Sequence, residues 1–85
     1  MASRSQNEKE YRNWDELADG GRRYWRERKG KINGLQRFIK IVDAGENTLL
    51  VVQEIYNDAG RLIGRHQKYP VDTGHQVIEP QEDEP

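Results

Sequence analysis

The sequence predicts an α+β domain spanning residues 6–79, in which one N-terminal amphipathic helix packs on a four- to five-stranded antiparallel β-meander. Three observations predict it. A capping-box pair, Ser5 and Glu8, precedes apolar residues at helical spacing. From Arg22 onward the apolar period becomes two, the signature of half-buried strands. Clusters rich in Gly, Asn and Asp recur between the alternating runs, where hairpin turns need them.

The helix is expected over residues 6–18, with Tyr11, Trp14, Leu17 and Ala18 forming its stripe and Gly20-Gly21 ending it. Residues 1–5 precede it as a flexible N-terminus. Strands follow at Arg22–Lys29, Leu35–Asp43, Thr48–Tyr56 and Arg61–Tyr69, with a short fifth at Gln76–Glu79. Asn57-Asp58-Ala59-Gly60 suits a type I turn closed by a left-handed glycine. The octapeptide Ile55 to Leu62 resembles the tyrosine- and aspartate-bearing hairpins of bacterial YD-repeat shell proteins, and the resemblance implies a hairpin there. Residues 80–85 are expected to form a disordered acidic tail.

Composition narrows the chemistry. Leu, Ile, Val and Phe make up 17 of the 85 residues, so the core is thin. Cysteine is absent, which excludes disulfides, thiolate zinc sites and thiol nucleophiles and fits a reducing, cytoplasmic location. The longest aliphatic run, Leu49–Val52, is far short of a membrane span, so no membrane partner is expected. Charge is uneven: residues 21–40 carry eight positive side chains and one negative, whereas 79–85 carry four negative and none positive. Such a basic block points to a polyanionic partner, the plainer reading being cations that guard an edge strand.

Alternation assigns the faces, because a one-residue slip moves every side chain to the other side. With Trp25 opposite Ile39, Ile41 opposite Leu49 and Ile55 opposite Ile63, one face carries Trp25, Ile39, Ile41, Leu49, Val51, Ile55, Ile63 and Tyr69. This is the expected core, lidded by Tyr11 and Trp14, with Glu27 across from Arg37. The other face is expected to stay open. At one end it interleaves Tyr24 and Phe38 with Arg26, Arg28, Lys40, His66 and Lys68, the residue types that stack bases and neutralise phosphates in single-stranded nucleic-acid binders. At the other end Val42, Leu50, Val52, Tyr56 and Leu62 form an apolar group suited to a homodimer or a protein partner.

The leading expectation is therefore a small non-enzymatic binding module, most concretely a single-stranded nucleic-acid (RNA) binder; the alternative is a homodimerising or protein-interaction module. A third reading is an RNase-like toxin module using His66 and His75, with Glu54, Arg65, Lys68 and Tyr69 as accessories. The two histidines are nine residues apart with Pro70 and Gly74 between them, and no spacing rule makes them converge; His75 is expected to cap the Asp72-Thr73-Gly74 turn. No third metal ligand stands at useful spacing and no phosphate-loop pattern follows Gly20-Gly21, so neither metal nor cofactor is expected.

Overall fold

Six strands pair in chain order into one antiparallel sheet, β1-β2-β3-β4-β5-β6, preceded by a short helix. The structure is a computed structural model and describes residues 3–30 and 34–78. Its elements are α1 (Arg4–Tyr11), β1 (Asn13–Glu16), β2 (Arg22–Lys29), β3 (Leu35–Val42), β4 (Thr48–Tyr56), β5 (Leu62–Tyr69) and β6 (Gly74–Val77). The α+β expectation holds, but with six strands rather than four to five. The expected acidic tail, 80–85, lies outside the described residues.

The helix has eight residues, shorter than the span 6–18 that its apolar stripe predicts. Ser3, not Ser5, is the N-cap: its hydroxyl accepts from the Gln6 N–H at 3.2 Å, and the Gln6 side chain accepts from the Ser3 N–H at 2.9 Å. Ser3, Arg4 and Ser5 are thus the cap and first turn rather than a loose N-terminus. Arg12 takes a left-handed conformation (φ 72°) and ends the helix at Tyr11. The chain then turns into β1, where Trp14 pairs with Tyr24 and Glu16 with Arg22. Trp14 and Glu16 alternate as well as they fit a helix, and the wall offered by β2 decides between the two.

Three hairpins share one turn geometry. In Leu17–Gly21, Asp43–Asn47 and Asn57–Arg61 the first N–H donates to the fifth carbonyl, and the fourth N–H returns to the first carbonyl. The fourth residue, Gly20, Glu46 or Gly60, takes positive φ. Side-chain oxygens of Asp43 and Asn57 accept two N–H groups of their own loops, at 2.9–3.0 Å, which fixes those turns locally.

Register determines the two faces. Trp25 lies opposite Ile39 and Glu27 opposite Arg37, as expected, with Arg37 Nε donating to Glu27 at 2.8 Å. Between β3 and β4 the pairing is one residue off expectation: Ile41 faces Leu50, and a bulge at Ile41/Val42 leaves Leu49 exposed. A second bulge sets Ile55 opposite Gly64 rather than Ile63. Strand β4 is therefore turned over, with Val51, Gln53 and Ile55 beside Phe38 and Lys40, and Leu50, Val52 and Tyr56 beside Ile39 and Trp25.

Helix α1 covers the face expected to be open. It lies over the Tyr24 end, where Tyr24 (0 % exposed), Val42 and Tyr11 form the buried cluster and Phe38 packs against it. The Tyr11 and Trp14 rings sit 5.9 and 6.0 Å from the Tyr24 ring. Arg22 is held there too: Nη1 is 2.6 Å from Glu8 and Nε 3.0 Å from Glu16, with the guanidinium 4.9 Å from the Trp14 ring centroid. The hydrogen bond that Arg22 donates to Glu8 raises the Arg22 pKa against the opposing effect of desolvation. The opposite face, carrying Trp25, Ile39, Ile41, Leu50 and Val52, receives no helix among the described residues.

Candidate nucleic-acid interface

Beyond the helix, the covered face opens into a strip of polar and aromatic side chains. Strand pairing puts Arg26, Phe38, Gln53, His66 and His75 side by side, one from each of β2 to β6. Adjacent strands are about 4.8 Å apart, so four strand steps make a row about 19 Å long. It presents a cation, an aromatic ring, an amide and two imidazoles in that order, crossing the strands.

Phe38 is the centre of charge. Its ring centroid lies 4.7 Å from the Arg26 guanidinium, 5.7 Å from that of Arg28 and 5.8 Å from Lys68 Nζ. Each contact is a cation–π attraction. None of the three cations lies within ion-pair distance of a carboxylate among the described residues, whereas Arg4, Arg22, Arg23 and Arg37 all do. Three cations gathered around one ring make a local positive field that an anion relieves. Arg26 Nε is moreover buried with no hydrogen-bond partner.

A bulge in the β4–β5 pairing at Val51/Val52 lets two consecutive residues of β5 lean to this side. Lys68 reaches the Phe38 ring, and Tyr69 pairs with Val51. Tyr69, nearly half exposed, walls an open recess of about 410 Å³ with Lys40, Asn47, Thr48 and Val51. The strip thus carries two aromatic rings, the partly buried Phe38 and the exposed Tyr69.

Of the residues expected to bind nucleic acid, Arg26, Arg28, Phe38, His66 and Lys68 come together on this strip. Lys40 lies at its margin, where Nζ donates to the Asn7 side chain at 2.8 Å. Tyr24 does not belong to it: the ring is fully buried and its hydroxyl donates to the Glu46 carboxylate, so no base can reach it. The expected apolar interface does not assemble. Val42 is buried under the helix on one face, whereas Leu50, Val52 and Tyr56 stand on the other, with Leu62 opposite Tyr56 at the sheet's end.

The fold settles a pairing that residue spacing leaves open. His66 and His75 are cross-strand partners in β5 and β6. His66 Nε2 lies 2.6 Å from Asp72 Oδ1, and the same oxygen accepts the Gly74 N–H at 2.9 Å. His66, followed by that N–H, holds the Asp72 carboxyl below its usual range. Asp72, not His75, therefore caps the turn. The His75 ring leans over Gly64: a methyl group on that glycine would stand 3.2 Å from His75 Nε2.

The sequence reading places Tyr69 on the core face and gives Gln53 no role, because the expected β3–β4 register is one residue from the observed one. The bulges that correct the register carry no composition signal of their own. Comparison with protein-family models, curated protein sequences and solved structures finds no match to the chain.

Proposed function

We propose that the chain binds single-stranded nucleic acid across its sheet, with the strand lying along the row from Arg26 to His75. The observation that carries this reading is the cluster at Phe38, where Arg26, Arg28 and Lys68 surround one partly buried ring with no carboxylate within ion-pair distance of them among the described residues. Phosphates take the three cations, bases stack on Phe38 and Tyr69, and Gln53 offers both a donor and an acceptor to a base edge.

Fluorescence anisotropy with a labelled single-stranded RNA of about a dozen nucleotides tests the reading. Stacking is worth ~1–3 kcal/mol per base, so Phe38→Ala weakens binding by roughly 5- to 100-fold. Arg26→Ala with Arg28→Ala weakens it further and lessens its salt dependence. Binding that is absent at low salt, or unchanged in both variants, overturns the proposal.

A second reading, self-association, is supported by the face that no helix covers among the described residues. Trp25, Ile39, Ile41, Leu50 and Val52 give it an apolar centre, and Trp25 Nε1 is buried there without a hydrogen-bond partner. A second copy packed face to face would extend the core as in a two-layer domain. Sedimentation at micromolar concentration reads the mass; a monomer that persists to a few hundred micromolar removes this reading and leaves the nucleic-acid strip untouched.

A further inference from the structure

We propose that His66 and His75 are a general acid and general base that cleave RNA lying on the strip, an inference that rests on the binding reading above. The geometry brings together what the reaction needs. Directly opposed residues of antiparallel strands have Cβ atoms about 4.5–5.5 Å apart, so two imidazoles on one side can flank a single phosphate. His66 is oriented by Asp72 at 2.6 Å, an imidazole–carboxylate pairing of the kind that fixes a ring. No carboxylate lies within ion-pair distance of His75 among the described residues, and its ring rests where Gly64 leaves room for it. A glycine in mid-strand weakens a sheet, and its presence here is explained by the close approach of that ring.

The step is an internal transfer. The ribose 2′-oxygen attacks the adjacent phosphorus while His75 accepts the 2′-hydroxyl proton. The bond from phosphorus to the 5′-oxygen breaks, and protonated His66 donates the Nδ1 proton to that leaving oxygen while its Nε2 stays on Asp72. The products are a 2′,3′-cyclic phosphate and a 5′-hydroxyl, with nothing oxidised and no co-reactant consumed. Charge that develops on the phosphoryl oxygens is met by Lys68, two residues from His66 on β5, and by the guanidinium groups beyond Phe38. Asp72 is a positioning residue. The groups that titrate or carry charge around His66 are Asp72, His75 and Lys68.

The test uses the full chain in excess over a 5′-labelled single-stranded RNA, so that each rate is a single turnover on bound substrate, with the matching DNA strand as a control lacking the 2′-hydroxyl. RNA is expected to be cut to cyclic-phosphate ends with a bell-shaped pH profile, while the DNA is bound and stays intact. His66→Gln and His75→Gln each lower the saturated rate at least 100-fold, the usual scale of a lost acid or base. Asp72→Asn lowers the saturated rate about tenfold with RNA affinity unchanged, and Asp72→Glu, which restores a carboxylate, recovers part of that loss; equal losses in the two variants assign Asp72 a merely structural role and overturn its part. RNA that is bound but intact overturns the acid–base pair and leaves the binding reading standing. RNA that is not bound at all overturns both. Cleavage undiminished in the two glutamine variants overturns the assignment to these histidines.

Discussion

The buried hydroxyl of Tyr24, in β2, donates a hydrogen bond to the carboxylate of Glu46, which sits in the turn between β3 and β4. Glu46 occupies the fourth position of that turn at φ 69°, where the two sister hairpins have Gly20 and Gly60. A non-glycine residue at positive φ is strained, by roughly 1 kcal/mol or more. The strain is offset by what the side chain reaches from there: besides Tyr24, it accepts from Asn7 Nδ2 at 3.1 Å and from Arg4 Nε at 3.3 Å. Glu46 thus pins the helix to the sheet, and Asn7, fully buried, relays the contact to Lys40.

Replacing Glu46 separates the strain from the pin. Glu46→Ala keeps the strained backbone and leaves the Tyr24 hydroxyl and the Asn7 amide without their acceptor, a loss of about 2–4 kcal/mol. Glu46→Gly loses the same hydrogen bonds but releases the strain, so it is less damaging by about 1 kcal/mol. Urea unfolding of the two variants reads the order directly. An alanine variant as stable as the glycine variant would show that the turn is not strained.

The same carboxylate gives stability a sign with pH. Burial opposes ionisation of Glu46, but hydrogen bonds from Tyr24, Asn7 and Arg4 outweigh it and leave its pKa lowered. A native pKa below the unfolded one contributes stability that is present above the unfolded value and is lost as pH falls through the native value. Asp43, lowered chiefly by the N–H and side-chain amide of Asn47, and Asp72, lowered chiefly by His66, act in the same direction. The melting temperature is therefore expected to drop between about pH 5 and pH 3. Glu46→Gln, which cannot ionise, is less stable at neutral pH and loses less on acidification. Parallel curves for the two proteins would remove Glu46 from the account.

Two glycines distinguish crowding from backbone conformation. A Cβ at Gly21 would stand 2.3 Å from the Val42 carbonyl oxygen, a rigid backbone atom at the start of the β3–β4 turn. Gly21→Ala must push β2 away from β3 and is expected to cost about 3 kcal/mol or more. Gly60 sits at φ 83° with nothing within 4 Å of its would-be Cβ, so Gly60→Ala meets only the backbone penalty, about 1 kcal/mol. Thermal melts of the pair should differ clearly, and equal losses would contradict the close approach at Val42.

Much of this architecture is legible in the residues because hairpin chemistry is local. Asn57 to Gly60 announces its own turn, and β2 and β4 begin and end where alternation begins and ends. Register across β4 is not local. The bulges at Ile41/Val42 and Ile55/Tyr56 arise from packing between strands, and each shifts the pairing by one residue. The two shifts cancel between β3 and β5, which is why Phe38, His66 and Lys68 still meet as alternation predicts, although Gln53 and not Val52 stands between Phe38 and His66. The position of the helix was equally hidden. Its short stripe carries no label for the face it covers, and the residue that chooses the face, Glu46, reads in the sequence only as a solvated turn acid.

The charge arrangement at Phe38 sets the salt dependence of binding. For single-stranded nucleic acid each phosphate neutralised contributes about −0.7 to the slope of log affinity against log salt. Arg26, Arg28 and Lys68 acting together therefore give a slope of about −2, and Arg28→Gln reduces it to about −1.4. Lys68→Glu does more, since the new carboxylate stands over the Phe38 ring among the two remaining guanidiniums and supplies internally the counter-charge that RNA would bring. This variant should bind more weakly than Lys68→Ala at every salt concentration and should fold at least as stably as the parent. Anisotropy titrations between 50 and 300 mM salt, roughly the range over which the slope is readable, separate these cases. A slope near zero in the parent would mean that the cations around Phe38 do not face the bound strand.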